Sequence, residues 1–155
     1  MGNPIYLDYN ATTPIDLEVA EEMNLFINNH FGNPSSSYAI GRFNKDAINH
    51  ARKQVADFIN AKPDEIIFTS CATESNNLAI LGFLKTQKGK HIITSAIEHP
   101  AVIEVCKYLE TQGYEITYVP VDKSGIVNPN DVENAIRSDT ALITIMHANN
   151  EVGTI

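Results

Sequence analysis

The sequence predicts an α/β fold: a layered, mainly parallel sheet with helices on both faces. Three observations predict it. From residue 65 onward, short apolar runs alternate with helical patterns. The joints carry turn formers, namely Lys88-Gly89-Lys90, Gly113, Ser124-Gly125 and Asn128-Pro129. Strands separated by helices pair in parallel through right-handed crossovers, which places helices against the sheet.

Each element has a local reason. Residues 5–10 read as a short extended run, and Ala11-Thr12-Thr13-Pro14 as a turn. Asp16 caps a helix to about Asn28, with Val19, Met23, Phe26 and Ile27 on one stripe. Phe31-Gly32-Asn33-Pro34-Ser35-Ser36-Ser37 is turn chemistry throughout. A long helix follows to about Asn60, its apolar stripe running from Ile40 and Phe43 to Val55 and Ile59, and Pro63-Asp64 ends it. Residues 65–68 read as a strand and 73–85 as a helix. Residues 91–95 read as a second strand, and Pro100 opens a helix over 101–111 that Gly113 stops. Residues 115–121 form a third strand. A short helix runs from Asn128-Pro129 to Arg137, and residues 141–146 form a fourth strand.

Composition narrows the class. At 155 residues and 43% hydrophobic content, the chain suits one soluble domain with a real core. A formal charge of −8 with scattered Lys and Arg argues against a nucleic-acid or anionic-membrane surface. No run approaches membrane-spanning length, and Met1-Gly2-Asn3-Pro4-Ile5-Tyr6 has no secretory or myristoylation pattern. Two cysteines are too few for a disulfide framework, so the expected location is cytoplasmic.

Ligands of open α/β sheets sit beyond the carboxyl ends of the strands. Three predicted strands end in polar clusters: Thr69-Ser70-Cys71-Ala72-Thr73, Ile97-Glu98-His99, and His147-Ala148-Asn149-Asn150-Glu151. Their convergence points to a small-molecule crevice. The first opens a helix, so its free N–H groups and the hydroxyls of Ser70, Thr73 and Ser75 suit an anion; a plain capped helix explains the same residues. His99 precedes Pro100 at a helix start, where it serves either as a cap or as an imidazole that stacks on a flat ring or shuttles a proton. Asn149-Asn150 serves either a tight turn or the site. Cys71 at the helix start is either a reactive thiol or a small residue that fits the turn, and Cys106 reads as core. His30, His50 and His91 share no ligand spacing, so no metal site is expected.

Five motifs occur in order and in register. They are Tyr6-Leu7-Asp8-Tyr9-Asn10-Ala11-Thr12-Thr13-Pro14, Phe31-Gly32-Asn33-Pro34-Ser35-Ser36, Phe68-Thr69-Ser70-Cys71-Ala72-Thr73-Glu74-Ser75-Asn76, Glu98-His99, and Met146-His147-Ala148-Asn149-Asn150-Glu151-Val152-Gly153. Together they resemble the N-terminal part of a group I cysteine desulfurase, within the class V aminotransferases of pyridoxal 5'-phosphate (PLP) fold type I. The resemblance implies residues 1–62 as an N-terminal helical segment and active-site mouth, the mouth at residues 10–13, and residues 63–155 as part of the PLP-binding large domain. It implies that Ala72 and Thr73 hold the PLP phosphate, that His99 stacks on the ring and assists proton transfer, and that Asn150 contacts the cofactor. Tyr38 departs from the pattern, since many members carry histidine there.

The implied activity is release of sulfur from L-cysteine, giving alanine and an enzyme persulfide for sulfur-acceptor or iron–sulfur scaffold proteins, in a homodimer. The eight lysines lie outside the family's Ser-x-His-Lys context. The Schiff-base lysine and the nucleophilic cysteine are therefore expected outside these 155 residues, and the chain alone is expected to be inactive. Alternatives with the same seat are selenocysteine lyase or another class V aminotransferase. A non-catalytic remnant or assembly module is a further alternative.

Overall fold

The computed structural model describes residues 5–155, so the reading of Met1–Pro4 lies outside the described residues. Contacts divide the chain into two compact units, parting between Phe68 and Thr69.

The first unit is helical. The Asp16 carboxylate accepts from the Glu18 amide and starts α1, Leu17–Asn28. The 31–37 segment turns as expected: the Asn33 side chain accepts from the Ser35 amide at 2.9 Å. It leads into α2, Ala39–Phe58. Gly32 and Gly41 permit the close approach there, since a Cβ on Gly41 would lie 2.5 Å from the Ser36 carbonyl oxygen. Asn44 of α2 is buried and donates to the Gly32 carbonyl. A short 3-10 turn, Pro63–Glu65, follows.

Two expected extended segments differ from observation. Among the described residues, 5–8 carry no regular structure, and the turn expected at residues 11–14 falls at 9–11, with the Ala11 amide donating to the Asp8 carbonyl. The predicted strand over 65–68 is not in the sheet either. Ile66 is extended, but its carbonyl accepts from the Arg52 guanidinium and Phe68 lies under that same group. An apolar run becomes a strand only where a neighbouring edge takes its backbone groups, and among the described residues none does.

The second unit holds the sheet, and its elements follow the expected alternation: α3, Ala72–Leu84; β1, His91–Ser95; α4, Pro100–Thr111; β2, Glu115–Val119; α5, Pro129–Ala135; β3, Thr140–Thr144. The strand order is β2-β1-β3, and both pairings are parallel. Gly113 takes φ +81 to leave α4, a conformation that costs other residues more. Ile92 on the central strand packs with Ile80 and Leu84 of α3 and Val102, Val105, Cys106 and Leu109 of α4. Burial pushes the Cys106 thiol up to about 11, as suits a core residue.

His91, given no role in the sequence reading, is fully buried on β1. Its Nδ1 lies 2.8 Å from the Thr140 hydroxyl on β3 and its Nε2 2.8 Å from the Thr117 hydroxyl on β2. One ring thus spans all three strands. Burial first, and the Arg137 charge second, depress its pKa below the ordinary histidine value. The folded state therefore prefers the neutral ring, and acid favours unfolding once unfolded chains protonate this histidine near pH 6.5. The urea midpoint is expected to fall between pH 7.5 and 5.5. A His91→Gln variant will flatten that segment of the profile. Below it, the carboxyls of Glu115 and Asp139, both held low by Arg137, add their own acid loss.

Candidate functional site

Because β1 and β3 are adjacent and parallel, the segments leaving them emerge on one edge of the sheet. The cluster at 69–73 is not a strand end. It arrives instead through α3, which packs beside α4. The two helix starts frame an open cleft of about 390 Å³, lined by Thr73 and Asn77 from α3 and by His99, Pro100, Ala101, Glu104, Val105 and Tyr108 around α4. Two of the residues singled out by sequence, Thr73 and His99, thus share a wall. Ala72 is the first residue of α3, next to Thr73. Asn150 is exposed, with its carboxamide 3.4 Å from Glu151, and it does not line this cleft.

The α3 start is a narrower donor set than the sequence suggests. Ser70 donates its hydroxyl to Glu74 at 2.6 Å and its amide to the same oxygen at 2.7 Å. The Ser75 and Thr69 hydroxyls lie 2.5 Å apart and bond each other. Three of the hydroxyls are therefore spent on building the turn. The Thr73 hydroxyl takes no part in that turn and bonds the Cys71 thiol. The first amides of a 13-residue helix lie at the positive end of its dipole, those of Thr73 and Glu74 facing the Cys71 thiol. Glu74, the acid of the first turn, is fastened to Ser70, and those bonds hold its carboxyl below the usual carboxylate range.

Cys71 is the N-cap residue and is exposed. The Glu74 amide first, and the Ser70 hydroxyl second, lower its thiol below the ordinary value. Both readings of Cys71, a fit to the turn and a reactive thiol, are compatible with that position.

His99 is the N-cap of α4, and its Nδ1 accepts from the Ala101 amide at 3.0 Å. Cap and functional imidazole are therefore compatible: the cap uses Nδ1 and leaves Nε2 and the ring face available. A neutral ring so capped carries its proton on Nε2.

Asn149 is the turn builder of the pair. It is buried, its Oδ1 accepts from the amides of Glu151 and Val152, and its Nδ2 donates to the Ile97 carbonyl. Glu98, to which the sequence reading gave no role, is also buried and bonds across to Met146. Its signal was a lone acid between the end of an all-buried strand and a helix cap. Among the described residues no cluster of three or more His, Cys, Asp or Glu is placed to hold a metal, and no helix is long and apolar enough to cross a membrane.

The family model for class-V aminotransferases matches residues 5–155. The chain belongs to the class-V aminotransferase family. Within it, the chain is 57% identical over its whole length to the cysteine desulfurase IscS of Dictyoglomus turgidum, and 57% identical over 97% of its length to that of Methanosarcina thermophila. It spans 40% and 38% of those relatives. Among solved structures, a NifS-like protein superposes with a TM-score of 0.90 at 44% identity, over 97% of this chain and 42% of that one. SspA in complex with cysteine superposes at 0.87 and 44% identity, over 94% of this chain and 43% of that one. The parallel α/β architecture is thus that of the NifS-like, PLP fold type I members of the class-V aminotransferases.

The residues present fit a phosphorylated heteroaromatic cofactor. The Thr73 hydroxyl and the first amides of α3, whose partner here is the Cys71 thiol, suit the phosphate. An imidazole on the same cleft suits the ring, and the cleft volume lies in the range of small-molecule sites.

Proposed function

We propose that the protein to which this chain belongs is a PLP-dependent cysteine desulfurase. The observation that carries the proposal is the shared cleft of Thr73 and His99 at two helix starts. It is supported by the 57% identity to desulfurases and by the likeness to a protein complexed with cysteine. When bound, PLP supplies the electron sink for cleavage at the substrate's β-carbon.

The chain's own residues do the rest. Thr73 donates its hydroxyl, and the amides of Ala72 and Thr73 donate with it, to the phosphate. Ala101 fixes the His99 ring at Nδ1, so that Nε2 holds or delivers a proton while the ring face orders the cofactor. Asn150 offers its carboxamide from the β3 exit. The sulfur leaves L-cysteine, which becomes L-alanine, and inserts into an enzyme thiol as a persulfide. The lysine that tethers the cofactor and that thiol belong to the rest of the protein.

This reading carries with it a cytoplasmic location, a homodimer and a sulfur acceptor such as an iron–sulfur scaffold. The names of the relatives favour cysteine over selenocysteine as substrate. The test is to supply the whole protein with PLP, L-cysteine and a thiol reductant. Alanine and sulfide are expected in equal amounts; neither product appearing would end the proposal.

A further inference from the structure

Two buried polar residues stand immediately before two residues of the proposed site. Glu98 precedes His99 and is 8% exposed; Asn149 precedes Asn150 and is 7% exposed. They connect the same two segments in opposite directions. One oxygen of Glu98, Oε1, accepts from the Ser95 hydroxyl at 2.8 Å on its own side and from the Met146 amide at 2.7 Å on the other. Asn149 donates its Nδ2 back to the Ile97 carbonyl at 3.1 Å. The same Asn149 closes the 149–154 turn, its backbone amide donating to the Thr154 carbonyl and its carbonyl accepting from Gly153. The Thr154 hydroxyl in turn donates to Gly125, on the loop after β2.

The β1 exit and the β3 exit are therefore locked to each other by two side-chain bonds that span 48 and 52 residues of sequence. A buried carboxylate needs all of its partners to be tolerated. Here one of them is a backbone amide just past the end of β3, which has no partner among the strands.

We infer that Glu98 is a positioning residue: through the Met146 amide it sets the place of the 146–150 segment relative to His99, without touching cofactor or substrate. The inference rests on the proposed desulfurase reading for its consequence in catalysis. The brace itself does not depend on that reading. Removing the acceptor frees the Met146 amide and lets the β3 exit move away from His99. The two groups then no longer meet the same ligand in a fixed geometry, and small misplacements of that kind cost rate rather than ground-state binding.

The test uses the whole protein with Glu98→Ala, Glu98→Gln and, as a control for simple loss of stability, Leu84→Ala in the core away from the site. Amide hydrogen exchange over residues 146–152 is the first readout. Glu98→Ala is expected to raise it at least about tenfold, corresponding to one lost bond to a charged group. Glu98→Gln, whose carbonyl oxygen still accepts, is expected to keep protection close to wild type, and Leu84→Ala to leave this segment unchanged. The second readout is steady-state turnover of L-cysteine. Glu98→Ala is expected to lower kcat at least about tenfold with KM within about threefold, and Glu98→Gln to restore most of it.

Wild-type exchange in Glu98→Ala, or the same exchange and kcat losses in Leu84→Ala, would overturn the inference. If Glu98→Ala does not fold, Glu98→Met takes its place, filling the volume without accepting a bond. A wild-type protein that takes up no PLP would end the desulfurase reading, while the exchange readout still decides the brace.

Discussion

Replacing His99 with asparagine in the whole protein will cut alanine formation from L-cysteine by about 10²–10⁴-fold, the range for a positioned acid–base group, and will leave folding stability near that of wild type. The two halves of that result come from the two nitrogens of one ring. Nδ1 accepts from the Ala101 amide and caps α4. An asparagine oxygen caps a helix as well or better. Nε2 and the ring face, which the cap does not use, have no counterpart in asparagine. His99→Ala loses both functions, and its melting temperature will fall by the equivalent of about 1 kcal/mol for a lost cap. Comparing kcat and thermal unfolding of the two variants separates cap from chemistry. An asparagine variant with near wild-type kcat would leave His99 as a cap alone.

Thr73→Val will weaken PLP binding by roughly 10–100-fold in a titration of the apoprotein, and Thr73→Ser will restore most of it. Valine keeps the shape and removes the hydroxyl. A hydrogen bond to a charged acceptor contributes about 1.5–3 kcal/mol, and each 1.4 kcal/mol is tenfold in affinity. The size follows from how little else is on offer. Ser70 is committed to Glu74, and Ser75 to Thr69. Among the described residues no lysine or arginine lines this cleft, and its one charged residue is the acid Glu104. Unchanged affinity in the valine variant would assign the phosphate to backbone amides only.

Local signals were read well from sequence. Asp16 as N-cap, Pro100 as a first helical residue, Gly113 as a stop and residues 91–95 as a strand all depend on neighbours a few positions away. The strand expected at 65–68 fails because pairing is a property of two segments, and a single apolar run does not reveal whether an edge awaits it. The serines near Cys71 left two readings open for a related reason. A hydroxyl at a helix start is as ready to bond its own turn as a ligand, and composition does not say which. The meeting of Thr73 with His99 was expected from a common sheet edge. It arises instead from the packing of α3 on α4. Glu98 was invisible as a brace because its partner at Met146 lies 48 residues away.

The ring of His91, held between Thr140 and Thr117, also constrains how this sheet can change over evolutionary time. Exchanging any one of the three for an apolar residue leaves a polar atom of a neighbour without its partner, whereas exchanging all three together leaves only the Arg137 amide, which also bonds the Thr140 hydroxyl, to find a new acceptor. Such a trio is a mutational valley. Each single step across it is costly, the far side is habitable, and drift keeps the three positions as a linked set. Mutual dependence alone would then hold the centre of the sheet, with no need for a ligand to select it.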